Sequence, residues 1–128
     1  IDEINILNAT HKAMHKALTD LYINHIKFDR VLVDGNSFKP LNIQGKDINH
    51  KCIINGDNTY IQIAAASILA KTHHDEYIDN LCLQNPDYNK YGLMTNYGYG
   101  TKSHIDAIRE NGYTVYHRRT FKIKSLEN

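Results

Sequence analysis

The chain has 128 residues, with 15 Lys and Arg against 14 Asp and Glu and 41% apolar residues. That is the size and balance of one folded domain, and it excludes a disordered tail. No apolar run nears the ~20 residues a membrane-spanning helix needs, and Ile1-Asp2-Glu3-Ile4-Asn5 lacks the basic and apolar regions of a secretion signal. The net charge of +1 hides an asymmetry: residues 1–88 carry a net −3 and residues 89–128 a net +4. A basic C-terminal third suits a phosphate backbone, and it equally suits a solvated tail. The first residue is Ile rather than Met, as expected of a processed or cropped piece.

In chain order, residues Asn8 to Leu21 predict an amphipathic helix, with Leu7, Met14, Ala17, Leu18 and Leu21 on its apolar side. Lys12, His15 and Lys16 fall on the other side, and Asp2 and Glu3 suit a first helical turn. Arg30 to Asp34 is short, apolar and β-branched and stops at Gly35, which predicts a buried strand ending in a turn. Residues 36–50 read as a loop. Lys51 to Ile54 is a second strand, closed by Asn55-Gly56-Asp57-Asn58. A long helix is predicted from near Thr59 to near Asn80, with Ile61, Ala64, Ala65, Ile68 and Leu69 forming a stripe. Residues 84–100, rich in Tyr, Asn and Gly, read as a long irregular segment of the kind that often carries function. Thr101 caps a helix from Lys102 to Glu110, which stops at Asn111-Gly112. The order implies an α/β domain with too few strands for a comfortable sheet. Cys52 and Cys82 form no CxxC pair, so they are expected to be buried reduced thiols of a cytoplasmic chain.

Several residues carry possible chemistry. Asp34 closes a predicted strand, where open α/β sheets place ligands, although Asp-Gly is also ordinary turn chemistry. Asp75 follows Thr72-His73-His74 on the long helix, where it either faces Asp34 across a cleft or is one more solvent-facing acid. His11 and His15 have the spacing of a zinc pair, but Lys12 stands where H-E-x-x-H needs Glu, so a solvated polar helix face is expected. Tyr99, between Gly98 and Gly100, either stacks on a sugar or base or anchors the loop. Tyr116 to Lys122 alternates basic and aromatic residues, including Arg118 and Arg119, which suits phosphate contact or an exposed terminus.

Taken in order, these blocks resemble bacterial ribonuclease HII. The resemblance runs from Ile1 to about Phe121. It rests on Ile1 to Thr10, Val33-Asp34-Gly35-Asn36, Gly56-Asp57, Ile63 to Lys71 with Asp75, Gly98-Tyr99-Gly100-Thr101, and His117-Arg118-Arg119-Thr120-Phe121. The ribonuclease HIII family matches these blocks less well. The resemblance implies a ribonuclease H-like α/β fold and an endonuclease that cuts RNA in RNA–DNA hybrids, or a lone ribonucleotide within DNA. It implies Mg²⁺ or Mn²⁺, held by four acids of which Asp34 and Asp75 match two, and a ribose-packing tyrosine matching Tyr99. Clustered carboxylates are natural ligands for these cations, and two such ions can activate water and stabilise a leaving oxygen. Arg118 and Arg119 are the expected phosphate contacts.

The family's adjacent Asp-Glu on its first strand and its Gly-Arg-Gly loop are absent, and Asp2-Glu3 is not that pair. The expectation is therefore an incomplete ribonuclease H-like fold over 1–128. Its mixed sheet lacks the first strands and is flanked by helices, with C-terminal helices from about 101 and a basic tail at 115–128. Asn55, His74 and Asn96-Tyr97 stand where the family often carries positive charge. The expected partner is an RNA–DNA hybrid or ribonucleotide-containing DNA, and the expected assembly a monomer. The rival readings are a non-catalytic nucleic-acid-binding module and a fragment with no function of its own.

Overall fold

A computed structural model describes residues 1–121 and 123. They fall into two compact units, Ile1–Ile68 and Leu69–Asn128.

The first unit opens with α1 (Ile6–Ile23), capped by the Asn5 side chain, whose Oδ1 accepts the Asn8 N–H at 3.0 Å. Asp2 and Glu3 precede that cap, so the expected acidic first turn is not formed. The buried side of α1 also differs from the expectation. Leu7 and Leu21 are exposed, while His11 is buried. Phe38 is the cause. Its ring sits on His11, His15 and His50 at centroid distances of 6.1, 5.1 and 5.0 Å. His11 Nε2–H donates to the Ser37 carbonyl at 3.2 Å and His15 Nε2–H to that of Lys39 at 2.8 Å. The two histidines are thus packing and docking groups on the chain after the first strand, not a solvated face.

β1 (Val31–Asp34) pairs in parallel with β4 (His50–Ile53), in a register that sets Val33 beside Cys52 and Asp34 beside Ile53. Between them the expected loop holds a small antiparallel hairpin, β2 (Asn42–Ile43) with β3 (Lys46–Asp47). Gln44 and Gly45 turn it with φ of 50° and 83°, the left-handed pair that a two-residue hairpin requires. Val33, Phe38, Ile43, Ile48 and Ile63 are the buried apolar residues of this unit. A single 3₁₀ turn, Gly56–Asn58, leads into α2 (Ile61–Gln84). The predicted stripe on α2 is not a buried one. Ile61 is 80% exposed, Ile68 68% and Leu69 59%, and the buried positions of α2 are Ile63, Leu81 and Cys82.

The second unit packs Cys82, Tyr91, Leu93 and Ile108 together, with Ile78, Tyr88, Ala107 and Ile123 against them. The segment expected to be irregular is largely helical, with a 3₁₀ helix at Pro86–Tyr91 followed by α3 (Leu93–Asn96). Gly92 joins these two in the left-handed region. α4 (Lys102–Asn111) matches the expectation: Thr101 Oγ1 accepts the His104 N–H at 3.3 Å, and Gly112 ends the helix at φ 76°. Both cysteines are free thiols, Cys82 buried and Cys52 half-buried. Burial, and then the Asp79 charge, push the Cys82 thiol up, so it is a packing residue and a poor nucleophile. Among the described residues no helix is long and apolar enough to cross a membrane.

Candidate metal and nucleic-acid site

Asp34 is the last residue of β1 and is exposed. The parallel register carries β4 past it to the turn at Gly56, whose N–H donates to Asp34 Oδ1 at 2.8 Å. Gly56 is buried, and a Cβ there would meet the Ile63 side-chain end at 2.5 Å and lie 3.5 Å from Asp34 Oδ1. The glycine therefore leaves room for the Ile63 side-chain end beside the turn that holds the carboxylate. A carboxylate accepts about four hydrogen bonds, so one N–H fixes it while leaving it able to bind a cation.

Asp75 is half-buried on α2 and has charged neighbours. Lys71 Nζ donates to Oδ2 at 2.8 Å, one helical turn away, and His74 Nδ1–H donates to Oδ1 at 3.1 Å. The Lys71 hydrogen bond first, and the His74 bond second, hold the Asp75 carboxyl below the usual carboxylate range. Lys71 is raised in return, chiefly by Asp75, with smaller contributions from Tyr99 and Tyr97. Its ammonium also sits over the Tyr97 ring at 5.5 Å. Lys71 thereby links Asp75 electrostatically to the Tyr97–Tyr99 loop. The Lys-x-x-x-Asp spacing was the available signal for this link, since residues four apart share a helix face.

Tyr99 is 65% exposed in the loop between α3 and α4. The loop itself is tightly specified. Asn96 is buried, its amide donating to the Tyr91 carbonyl at 2.7 Å and its Oδ1 accepting the Gly98 N–H at 2.9 Å. Position 96 thus serves the turn instead of offering its side chain to phosphate. Arg118 and Arg119 are exposed in the segment after His117. Lys122, at the end of the basic and aromatic stretch, lies outside the described residues, as does most of the tail beyond it.

Each carboxylate, Asp34 in the first unit and Asp75 in the second, has donor chemistry that suits a hard divalent cation. Among the described residues no group of three or more His, Cys, Asp or Glu is gathered to hold a metal ion.

A sequence profile of ribonuclease HII matches residues 1–124. The chain belongs to the ribonuclease HII family. Among relatives named ribonuclease HII, that of Christiangramia forsetii is 50% identical over 96% of this chain and 57% of its own length. The ribonuclease HII of Cytophaga hutchinsonii is 47% identical over 97% of this chain and 57% of its own. That of Ehrlichia chaffeensis is 46% identical over 94% and 53%. The chain thus spans little more than half the length of the ribonuclease HII relatives it matches. Its small parallel and antiparallel sheets with flanking helices are consistent with a ribonuclease H-like α/β domain.

Proposed function

We propose that the whole protein is an endonuclease that hydrolyses the RNA strand of RNA–DNA hybrids and single ribonucleotides embedded in duplex DNA. The chain described is then the C-terminal part of that enzyme. It holds two of four metal-binding acids and is inactive alone. The observation that carries this reading is the family match over residues 1–124. Two structural features support the incomplete fold: a parallel sheet of two strands and an α2 stripe left open at Ile61 and Ile68. Parallel sheets are ordinarily covered on both faces.

On this reading Asp34 and Asp75 are catalytic as metal ligands for Mn²⁺ or Mg²⁺, which polarises phosphate and activates water when bound. The residues themselves do four things. Gly56 N–H orients the Asp34 carboxylate. Lys71 and His74 keep Asp75 ionised. Tyr99 presents an exposed ring to the ribose, where RNA differs from DNA by its 2′-OH. Arg118 and Arg119 contact phosphate, which positions the duplex without reading its sequence. The protein is read as a cytoplasmic monomer.

The test is a cleavage assay on duplex DNA carrying one ribonucleotide, with Mn²⁺. It compares this chain with the chain extended by an N-terminal Asp-Glu strand. Cutting by the extended chain alone is the expected result. Cutting by the 128-residue chain would overturn its inactivity, and cutting by neither would replace the enzyme with a binding module.

A further inference from the structure

The sequence blocks containing Tyr99 and His117 are joined by a hydrogen-bond chain whose direction the donors and acceptors fix. The Thr114 backbone N–H donates to His117 Nδ1 at 2.9 Å, and the Thr114 hydroxyl lies 2.8 Å from the same nitrogen. His117 Nδ1 is therefore an acceptor, and its neutral ring carries the proton on Nε2. At the other end, His104 Nδ1 lies 2.9 Å from the Tyr99 carbonyl, which can only accept. His104 thus carries its proton on Nδ1, leaving Nε2 as an acceptor. The two Nε2 atoms are 3.1 Å apart, and the only consistent pairing has His117 Nε2–H donating to His104 Nε2. Two nitrogens this close also invite a metal reading. The Thr114 N–H rules against it, because it occupies His117 Nδ1 and so keeps the proton on Nε2, the nitrogen a metal would need.

The pair is well enclosed. His104 is 5% exposed, and His117 packs on Tyr91 and Tyr113 at centroid distances of 5.1 and 5.8 Å. Tyr91 donates its hydroxyl to the Gly112 carbonyl at 3.0 Å and carries Lys90 over its ring at 5.5 Å. The charged group next along the chain is Arg118. Among the described residues neither imidazole has a carboxylate ion-pair partner, the histidine ion pairs being those of His73 and His74. Burial first, and the neighbouring His104 second, lower His117 accordingly.

We propose that His104 and His117 are positioning residues. Their one-way chain from Thr114 to the Tyr99 carbonyl fixes the Tyr99 loop and the start of the Arg118-Arg119 segment as one nucleic-acid-facing unit. The nucleic-acid part of this proposal rests on the proposed function, whereas the anchor itself does not.

The test has two independent arms. In the first, the imidazole nitrogens of the chain are followed by ¹⁵N NMR through the histidine range, about pH 8 to about pH 5. Amide exchange at Thr101, whose N–H donates to the Tyr99 carbonyl at 2.8 Å, is followed alongside. The expected result is His104 protonated on Nδ1, His117 on Nε2, and His117 accepting a further proton only below the ordinary histidine range. His104→Leu should speed Thr101 exchange about five- to tenfold, the worth of one hydrogen bond, and His104→Asn, whose amide can replace Nδ1–H, should largely restore it. The opposite His104 tautomer, or unchanged exchange in His104→Leu, would overturn the anchor.

The second arm measures the preference of the chain for a duplex with one ribonucleotide over the all-DNA duplex. Tyr99→Ala and His104→Leu should reduce it alike. Loss in Tyr99→Ala but not in His104→Leu would overturn the positioning role. No preference in the unsubstituted chain, or none lost in Tyr99→Ala, would remove the reading of Tyr99 and with it the nucleic-acid part of the proposal. The first arm would still decide the anchor.

Discussion

Asp34 and Asp75 are both carboxylates, each in its own block of the sequence, yet they are held in opposite ways. Asp34 is fixed by a neutral backbone N–H from a residue 22 positions away in sequence. Asp75 is held by two side chains of its own helix, one of them a cation. A backbone donor orients a carboxylate without cancelling its charge. A lysine partner orients and neutralises it at once, so an incoming cation must compete with Lys71. On the proposed reading, one acid is then ready for a cation and the other is kept ionised but occupied.

The largest expected effect breaks the comparison at Asp34. In the extended protein Asp34→Asn should cut turnover on the order of a thousandfold, the scale of losing a metal ligand's transition-state charge stabilisation. The fold should survive, because the Asn oxygen still accepts the Gly56 N–H. Steady-state cleavage together with a thermal melt of the same variant separates the two outcomes. Unchanged turnover would remove Asp34 from the site.

A smaller effect is expected from Gly56→Ala. The new methyl group must displace the end of the buried Ile63 side chain, beside the turn whose N–H anchors Asp34. Overpacking of this kind costs about 1 kcal/mol or somewhat more, a shift of a few degrees in Tm. Calorimetry should show that loss, and Mn²⁺ affinity should fall with it if the anchor orients Asp34.

Lys71→Met sharpens the other side of the comparison. Removing the competing ammonium should tighten Mn²⁺ binding at Asp75 by about twofold, the small effect expected of an exposed helical pair. Titration calorimetry against the parent chain checks the direction. The same variant should raise the Asp75 carboxyl toward its ordinary range, visible by carboxyl NMR. The sign follows from Asp75 being depressed in the folded chain. Its stabilising contribution is complete above the unfolded carboxylate pKa of about 4 and is lost as pH falls through the lower folded value. Without Lys71 that acid-side loss should narrow.

What was legible in the sequence was local. The α4 cap at Thr101 and its stop at Gly112 depend on neighbours a few residues away, and they formed as the residues dictate. The parallel strands near Arg30 and Lys51 were visible as short apolar runs, but their partnership was not. The hairpin at 42–47 escaped because two-residue strands leave no periodicity, and only the Gln44-Gly45 turn marks it. His11 defeated its polar appearance because Phe38, which covers it, lies 27 residues further on. Apolar periodicity likewise identified α2 but not what its apolar residues meet. At the site, Asp34 and Asp75 stood out only through the family resemblance. The Gly56 anchor and the His104–His117 chain depend on tertiary proximity, which no spacing rule encodes.

The two anchors also differ in time. The Lys71–Asp75 pair spans one helical turn and forms as α2 forms, on a timescale of about 0.1–1 µs. The Asp34–Gly56 bond must wait until β1 and β4 pair across the intervening hairpin, a non-local closure that sets a slower clock. Substitutions at Gln44 or Gly45 should therefore delay the ordering of Asp34 during refolding and leave Asp75 on schedule. The last part of the site to be shaped would then be the acid that no side-chain cation holds.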